Sequence, residues 1–150
     1  MSHVAAIDLE IAPTQLDALE AAITELGGTL VRNQKSYKWY GQLVGGGSRG
    51  AEFDNLKTAP GVCAHAIRPA GWKHGDYEGG VVEATDGTFR LVWDSYATGV
   101  NLDRAFGVGG TRIKDHLGAE LAMRHAARKG QRARKEILAD GTVAVDVYVD

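Results

Sequence analysis

Two Asp-Gly dipeptides, Asp86-Gly87 and Asp140-Gly141, each stand between runs rich in β-branched and aromatic residues, and they constrain this chain more than any other feature. Glycine after aspartate supplies the left-handed backbone that a tight reversal needs, so dipeptide and flanks together predict antiparallel hairpins over residues 77–94 and 131–149. In the second hairpin Val143, Val145, Val147 and Val149 alternate with Ala144, Asp146 and Tyr148, the period of a half-buried strand.

Helical periodicity is confined to two stretches. Leu16, Leu19, Ile23 and Leu26 recur at helical spacing between Pro13 and Gly27-Gly28, and Thr14 followed by Asp17 reads as a capping box with Asp in place of Glu. A second helix is expected from Thr111, read as its cap, to about Lys129, with Gly130 closing it. Its apolar stripe is Ile113, Leu117 and Leu121; Glu120, Arg124 and Arg128 fall inside or beside it, and Gly118, Ala119, Ala122 and Ala126 gather on the other side. Such a helix lacks a wholly polar face and is expected to be covered on two sides, by a partner or by a second copy of the chain. Further strands are expected over residues 2–11, 29–32, 36–44 and 62–68. Residues 45–60 read as a long loop opened by three glycines, and residues 95–110 as a loop with one helical turn near Leu102.

Helices embedded among antiparallel strands give an α+β fold: a mainly antiparallel twisted sheet carrying two principal helices, with ferredoxin-like, split β-α-β character. At 150 residues this is one domain, residues 1–150, large enough to bury a single core. The single thiol, Cys63, closes no internal disulfide, so packing holds the fold. No stretch reaches the ~18 apolar residues of a membrane span, and the first residues carry acids and lack a basic leader; a cytoplasmic protein without membrane contact is expected.

Particular blocks of the sequence carry a family likeness: Met1-Ser2-His3-Val4, Gln34-Lys35-Ser36-Tyr37-Lys38-Trp39-Tyr40-Gly41, His65-Ala66-Ile67-Arg68, Leu91-Val92-Trp93-Asp94, and an alanine-rich basic helix before a hairpin. With these the chain resembles a family of small proteins, a domain of unknown function, encoded in red-algal plastids, cyanobacteria and tailed phages. The resemblance implies no particular activity, since none is established for the family, and no cofactor is expected. It does imply partnership with an AAA-type ATPase, near which members are encoded, and location in the host cytoplasm if the chain is phage-encoded.

Charge is distributed unevenly along the chain. Residues 1–110 hold 9 cations and 13 anions, net −4, whereas residues 111–150 hold 8 and 6, net +2. Arg124, Arg128, Lys129, Arg132, Arg134 and Lys135 fall within twelve residues that contain no acid. Such a run suits phosphates or an acidic protein face, and it competes with a plainer reading in which cations merely favour the helix C-terminus. Tyr37, Trp39 and Tyr40, interleaved with Lys35 and Lys38, suit the stacking of unpaired bases; the competing reading is core packing, with Trp39 against Trp93. Cys63 and His65, two apart on one expected strand, form a nucleophile and base if Asp94 orients the imidazole, or a metal site if His3 joins them. Gly107-Val108-Gly109-Gly110-Thr111, with Lys114 one turn on, could receive an anion, although the Gly-Lys-Ser/Thr ending of a P-loop is missing.

The function expected from these features is that of a non-enzymatic accessory or adaptor protein whose basic helix-to-hairpin segment binds an acidic partner, either a protein complex or nucleic acid. The alternative is a small hydrolase or nuclease built on His65, Cys63 and Asp94.

Overall fold

The computed structural model describes residues 4–41 and 55–148. Strands β1 (Val4–Ala6), β2 (Thr29–Val31), β3 (His65–Arg68), β4 (Gly79–Glu83) and β5 (Phe89–Asp94) form one antiparallel sheet in the order β1-β5-β4-β3-β2. Helix α1 (Leu16–Glu25) connects β1 and β2, which lie at opposite edges with three strands between them, a wide split β-α-β relation. Helices α2 (Val100–Phe106) and α3 (Thr111–Arg128) follow, and strands β6 (Arg132–Ile137) and β7 (Val143–Tyr148) make a separate two-stranded sheet. The α+β class is therefore observed, with the strands segregated into two sheets.

Both Asp-Gly hairpins fold as expected and do so identically. In each, the glycine N–H donates to the carbonyl three residues back, Gly87 to Ala84 at 3.0 Å and Gly141 to Leu138 at 2.9 Å, while the aspartate accepts from the next threonine N–H at 2.9 Å. Gly87 and Gly141 take φ of 85° and 87°, the left-handed values that let a three-residue loop close.

The two faces of the large sheet are covered differently. Ile67, Val81, Leu91 and Trp93 meet Leu19 and Ile23 of α1, Leu102 and Phe106 of α2, and Ile113 and Leu117 of α3 in the main core. On the opposite face Ala66, Val82 and Val92 meet Tyr37, Leu56 and Cys63, which come from irregular chain rather than from a helix. Two glycines in β4 allow this close layering: a Cβ on Gly79 would stand 2.6 Å from Ile67 Cγ1, and one on Gly80 2.5 Å from Tyr37 Cδ1. Trp93, in the main core, lies 6.0 Å from the Phe106 ring, whereas Trp39 packs on the other face, so the expected Trp39–Trp93 pair is separated by the sheet.

Other local expectations shift for identifiable reasons. Residues 4–11, the described part of the strand expected over 2–11, pair in two pieces, since after β1 the chain bulges at residues 8–10 before Ile11 bridges Phe89. Pro13 opens a 3₁₀ turn (Pro13–Gln15) that leads into α1, and Ala12 N–H donates to Gln15 Oε1 at 3.0 Å; this replaces the Thr14/Asp17 capping box. Thr111 is the first residue of α3 rather than its cap, because left-handed Gly110 turns the chain into the helix. Of the strand expected over residues 36–44, Ser36 bridges Val62 and residues 37–41 belong to no strand, crossing the sheet face, while residues 42–44 lie outside the described residues. The second cover of α3 is the chain's own hairpin, against which the helix packs. Of the loop expected over residues 45–60, residues 45–54 lie outside the described residues, as does His3, while residues 55–60 are irregular apart from a bridge from Leu56 to Ala84.

Candidate functional site

The basic segment begins on the last turns of α3, passes a left-handed glycine, Gly130 (φ 71°), and continues along β6. Strand alternation then sorts its cations. Arg132 and Arg134 face outward with Glu136, as expected, whereas Lys135 turns inward and donates to Glu25 Oε2 at the end of α1. The other oxygen of Glu25 lies 3.0 Å from Nδ1 of buried His116 on α3. Burial opposes ionisation of Glu25, but the Lys135 ammonium and the His116 ring hold its carboxyl below the ordinary value. Lys135 is thus part of a tie between hairpin and body and leaves the basic surface. Arg124 pairs with Glu120 at 3.2 Å, one helical turn back, and Arg134 lies 3.8 Å from Asp146. The exposed cationic corner comprises Arg128, Lys129, Arg132 and Arg134, with His125 and Arg124 beside it.

The aromatic block divides between core and surface. Tyr37 is buried, which pushes its phenol up to about 12. Trp39 is half-buried over Gly61, and Tyr40 is exposed, its ring edge-on to Tyr96 at 5.5 Å between centroids. These residues cover the sheet face opposite α3, so Trp39 and Tyr40 do not extend the basic corner into one continuous surface. Two buried carboxylates hold the block in place. Glu78 accepts from Lys38 N–H at 3.1 Å, from Gln34 Nε2 and from Arg68 Nε at 2.8 Å, and Asp94 accepts from Tyr40 N–H at 3.1 Å and Tyr96 N–H at 2.9 Å. The segment keeps a few backbone bonds, Tyr37 N–H to Gly61 O at 3.0 Å and Glu78 N–H to Lys38 O at 2.9 Å, and these side chains supply the acceptors for the Lys38 and Tyr40 N–H groups. The Arg68 guanidinium is in turn stacked 3.9 Å from the Trp72 ring centroid.

His65, Cys63 and Asp94 do not converge. A bend at Ala64 puts Cys63 into the cluster beneath Tyr37, while His65 lies edge-on to Phe89, which packs on the main core across the sheet. The Cys63 thiol donates to Gln34 O at 3.1 Å, and burial pushes it up to about 12, which disfavours the thiolate that a nucleophile needs. His65 Nδ1 accepts from Asn33 N–H at 2.9 Å; burial, with Lys35 and Arg32 nearby, lowers its pKa and favours the neutral acceptor. From the pairing register Asp94 lies two strands across and three residues along from His65, roughly 10 Å in each direction. The nucleophile, base and orienting acid expected from sequence are therefore three separate structural contacts. Among the described residues no group of three or more potential ligands could hold a metal, and the His3 contribution to a Cys63/His65 site lies outside them.

The glycine-rich entry to α3 has a packing explanation: a Cβ on Gly110 would meet Ile7 Cγ2 at 2.7 Å, so glycine lets β1's continuation seat against the turn. Sequence reasoning did not single out Glu25, His116 or Glu78. The contacts that define them span 91, 110 and 40 residues, beyond the reach of any periodic or motif signal. No described helix is long and apolar enough to cross a membrane. No family model, curated protein or solved structure matches the chain.

Proposed function

We propose that this protein is an adaptor that binds an acidic partner, a protein complex or nucleic acid, through the corner where α3 passes into β6. One observation carries the reading: Arg128, Lys129, Arg132 and Arg134 stay exposed on contiguous helix end, turn and strand, while Lys135 of the same run is drawn inward. The field is local, since the chain as a whole carries a formal charge of −2. The α3 C-terminus already favours cations through the helix dipole; an anionic partner is recognised by guanidinium and ammonium groups beyond that requirement. The resemblance to the plastid, cyanobacterial and phage family makes an AAA-type ATPase a candidate for the protein partner.

The test is a salt titration of binding to single-stranded and duplex DNA and RNA, with polyglutamate as a proxy for an acidic protein face, beside an Arg128→Glu/Arg132→Glu variant. If the four exposed cations each neutralise one phosphate, log K against log salt on duplex falls with a slope of about −3.6, and the variant loses binding while keeping its circular dichroism. Absence of salt-dependent binding to every one of these polyanions, or binding unchanged in the variant, overturns the reading.

A further inference from the structure

The two strands of the C-terminal hairpin have unlike edges. Strand β6, Arg-Ala-Arg-Lys-Glu-Ile, is dense in charge and is tied to the body through Lys135, whereas β7, Val-Ala-Val-Asp-Val-Tyr, carries one charge in six residues. Natural sheets guard exposed edges with lysine, arginine, proline or bulges; β6 is guarded in this way and β7 is not. No further strand pairs with β7 among the described residues, and Val147 and Tyr148 at its end are 46% and 45% exposed. We propose that the β7 edge pairs with the β7 edge of a second copy of this chain, joining two hairpins into one four-stranded antiparallel sheet.

Backbone phase, side-chain facing and charge agree on one register. Leu138 N–H donates to Thr142 O, so strict alternation along the ladder points Ala144, Asp146 and Tyr148 toward β6 and leaves the N–H and C=O of Val143, Val145 and Val147 aimed outward. A two-fold axis through Val145 pairs that residue with itself and Val143 with Val147 of the second copy, using these outward groups. The same axis keeps both hairpins facing the same way, so the two α3 helices lie on one side of the joined sheet and the valines form a continuous apolar row beneath them. Asp146 then stands opposite Ala144 of the second copy, and no like charges meet. Strand β6 fails the equivalent test: its in-phase two-fold registers set Arg132 on Arg134, or Arg134, Lys135 or Glu136 on itself. Self-complementarity of this kind is what an isologous interface requires, and it commits β7 to a second copy rather than to an unrelated strand.

The experiment is sedimentation velocity over a micromolar concentration series for the wild type, Val147→Pro and Ala144→Lys. Proline at 147 removes an outward N–H and leaves the hairpin's own ladder intact. Lysine at 144 places an ammonium opposite Asp146 of the second copy and next to Glu136 of its own hairpin. The expected results are a concentration-dependent dimer for the wild type, a monomer with unchanged circular dichroism for Val147→Pro, and a dimer tightened roughly two- to ten-fold at low salt for Ala144→Lys. A wild type that stays monomeric at every concentration overturns the proposal and leaves the edge to a strand of another protein. So does a dimer unaffected by both substitutions. If Val147→Pro alters the circular dichroism, Ala144→Lys decides alone. The outcome is independent of the basic corner, whose binding is read in a separate assay.

Discussion

Glu78 is 5% exposed and bonded on both carboxylate oxygens, so its role is to fix the segment from Gln34 to Tyr40 against the sheet rather than to do chemistry. Removing one partner of a buried charge pair leaves the other uncompensated, and here it also strands the Lys38 N–H. Arg68 keeps 31% of its side chain in solvent and can rehydrate, which moderates the loss. Glu78→Ala is expected to destabilise the fold by about 3 kcal/mol in urea unfolding, with Glu78→Gln costing less because the amide oxygen still accepts from Lys38. Equal stability of the alanine variant and the wild type would show that the carboxylate does not anchor the segment. Sequence reading marked Asp94 as a polar group of interest and passed over Glu78, because what distinguishes either residue is a backbone donor 54 or 40 positions away.

Secondary-structure elements were legible where their cause is local. Each hairpin is set by an Asp-Gly turn with its own hydrogen bonds, and α1 and α3 by spacing of apolar residues, so all four appear close to where the sequence puts them. Residues 36–41, the described part of the strand expected over 36–44, depart for the opposite reason: alternation shows that two sides of a segment differ, not that a neighbouring strand is present to pair with it. What holds Tyr37 down is the absence of a side chain at Gly80, and this too is a relation between elements. Gly80→Ala is accordingly expected to cost about 1–3 kcal/mol through overpacking against the Tyr37 ring, measured as a fall in the urea midpoint. A variant as stable as the wild type would mean that Tyr37 moves aside freely and that the second cluster is loosely packed.

For the whole molecule, the decisive contact is Glu25 with His116 and Lys135, which joins α1, α3 and β6. Because the folded carboxyl is held below its ordinary 4.5, its contribution is fully present above about pH 4.5 and is lost as pH falls through the lower folded value. Amide hydrogen exchange of β6 and β7 is expected to quicken in that acid window before exchange of β3 to β5, and Glu25→Gln is expected to quicken it at neutral pH and flatten the dependence. Identical exchange profiles for variant and wild type would sink this account of hairpin docking. By itself the sequence determined the α+β class, the two hairpins, both long helices and the basic run from Arg124 to Lys135, since turn chemistry, periodicity and charge density are properties of neighbouring residues. Only the tertiary structure decided that Lys135 leaves that run, that Cys63 and His65 part to opposite faces, and that the aromatic block and the basic corner lie on different sides of the sheet. These outcomes depend on which groups meet within a few ångströms across the fold, and spacing along the chain carries no information about that.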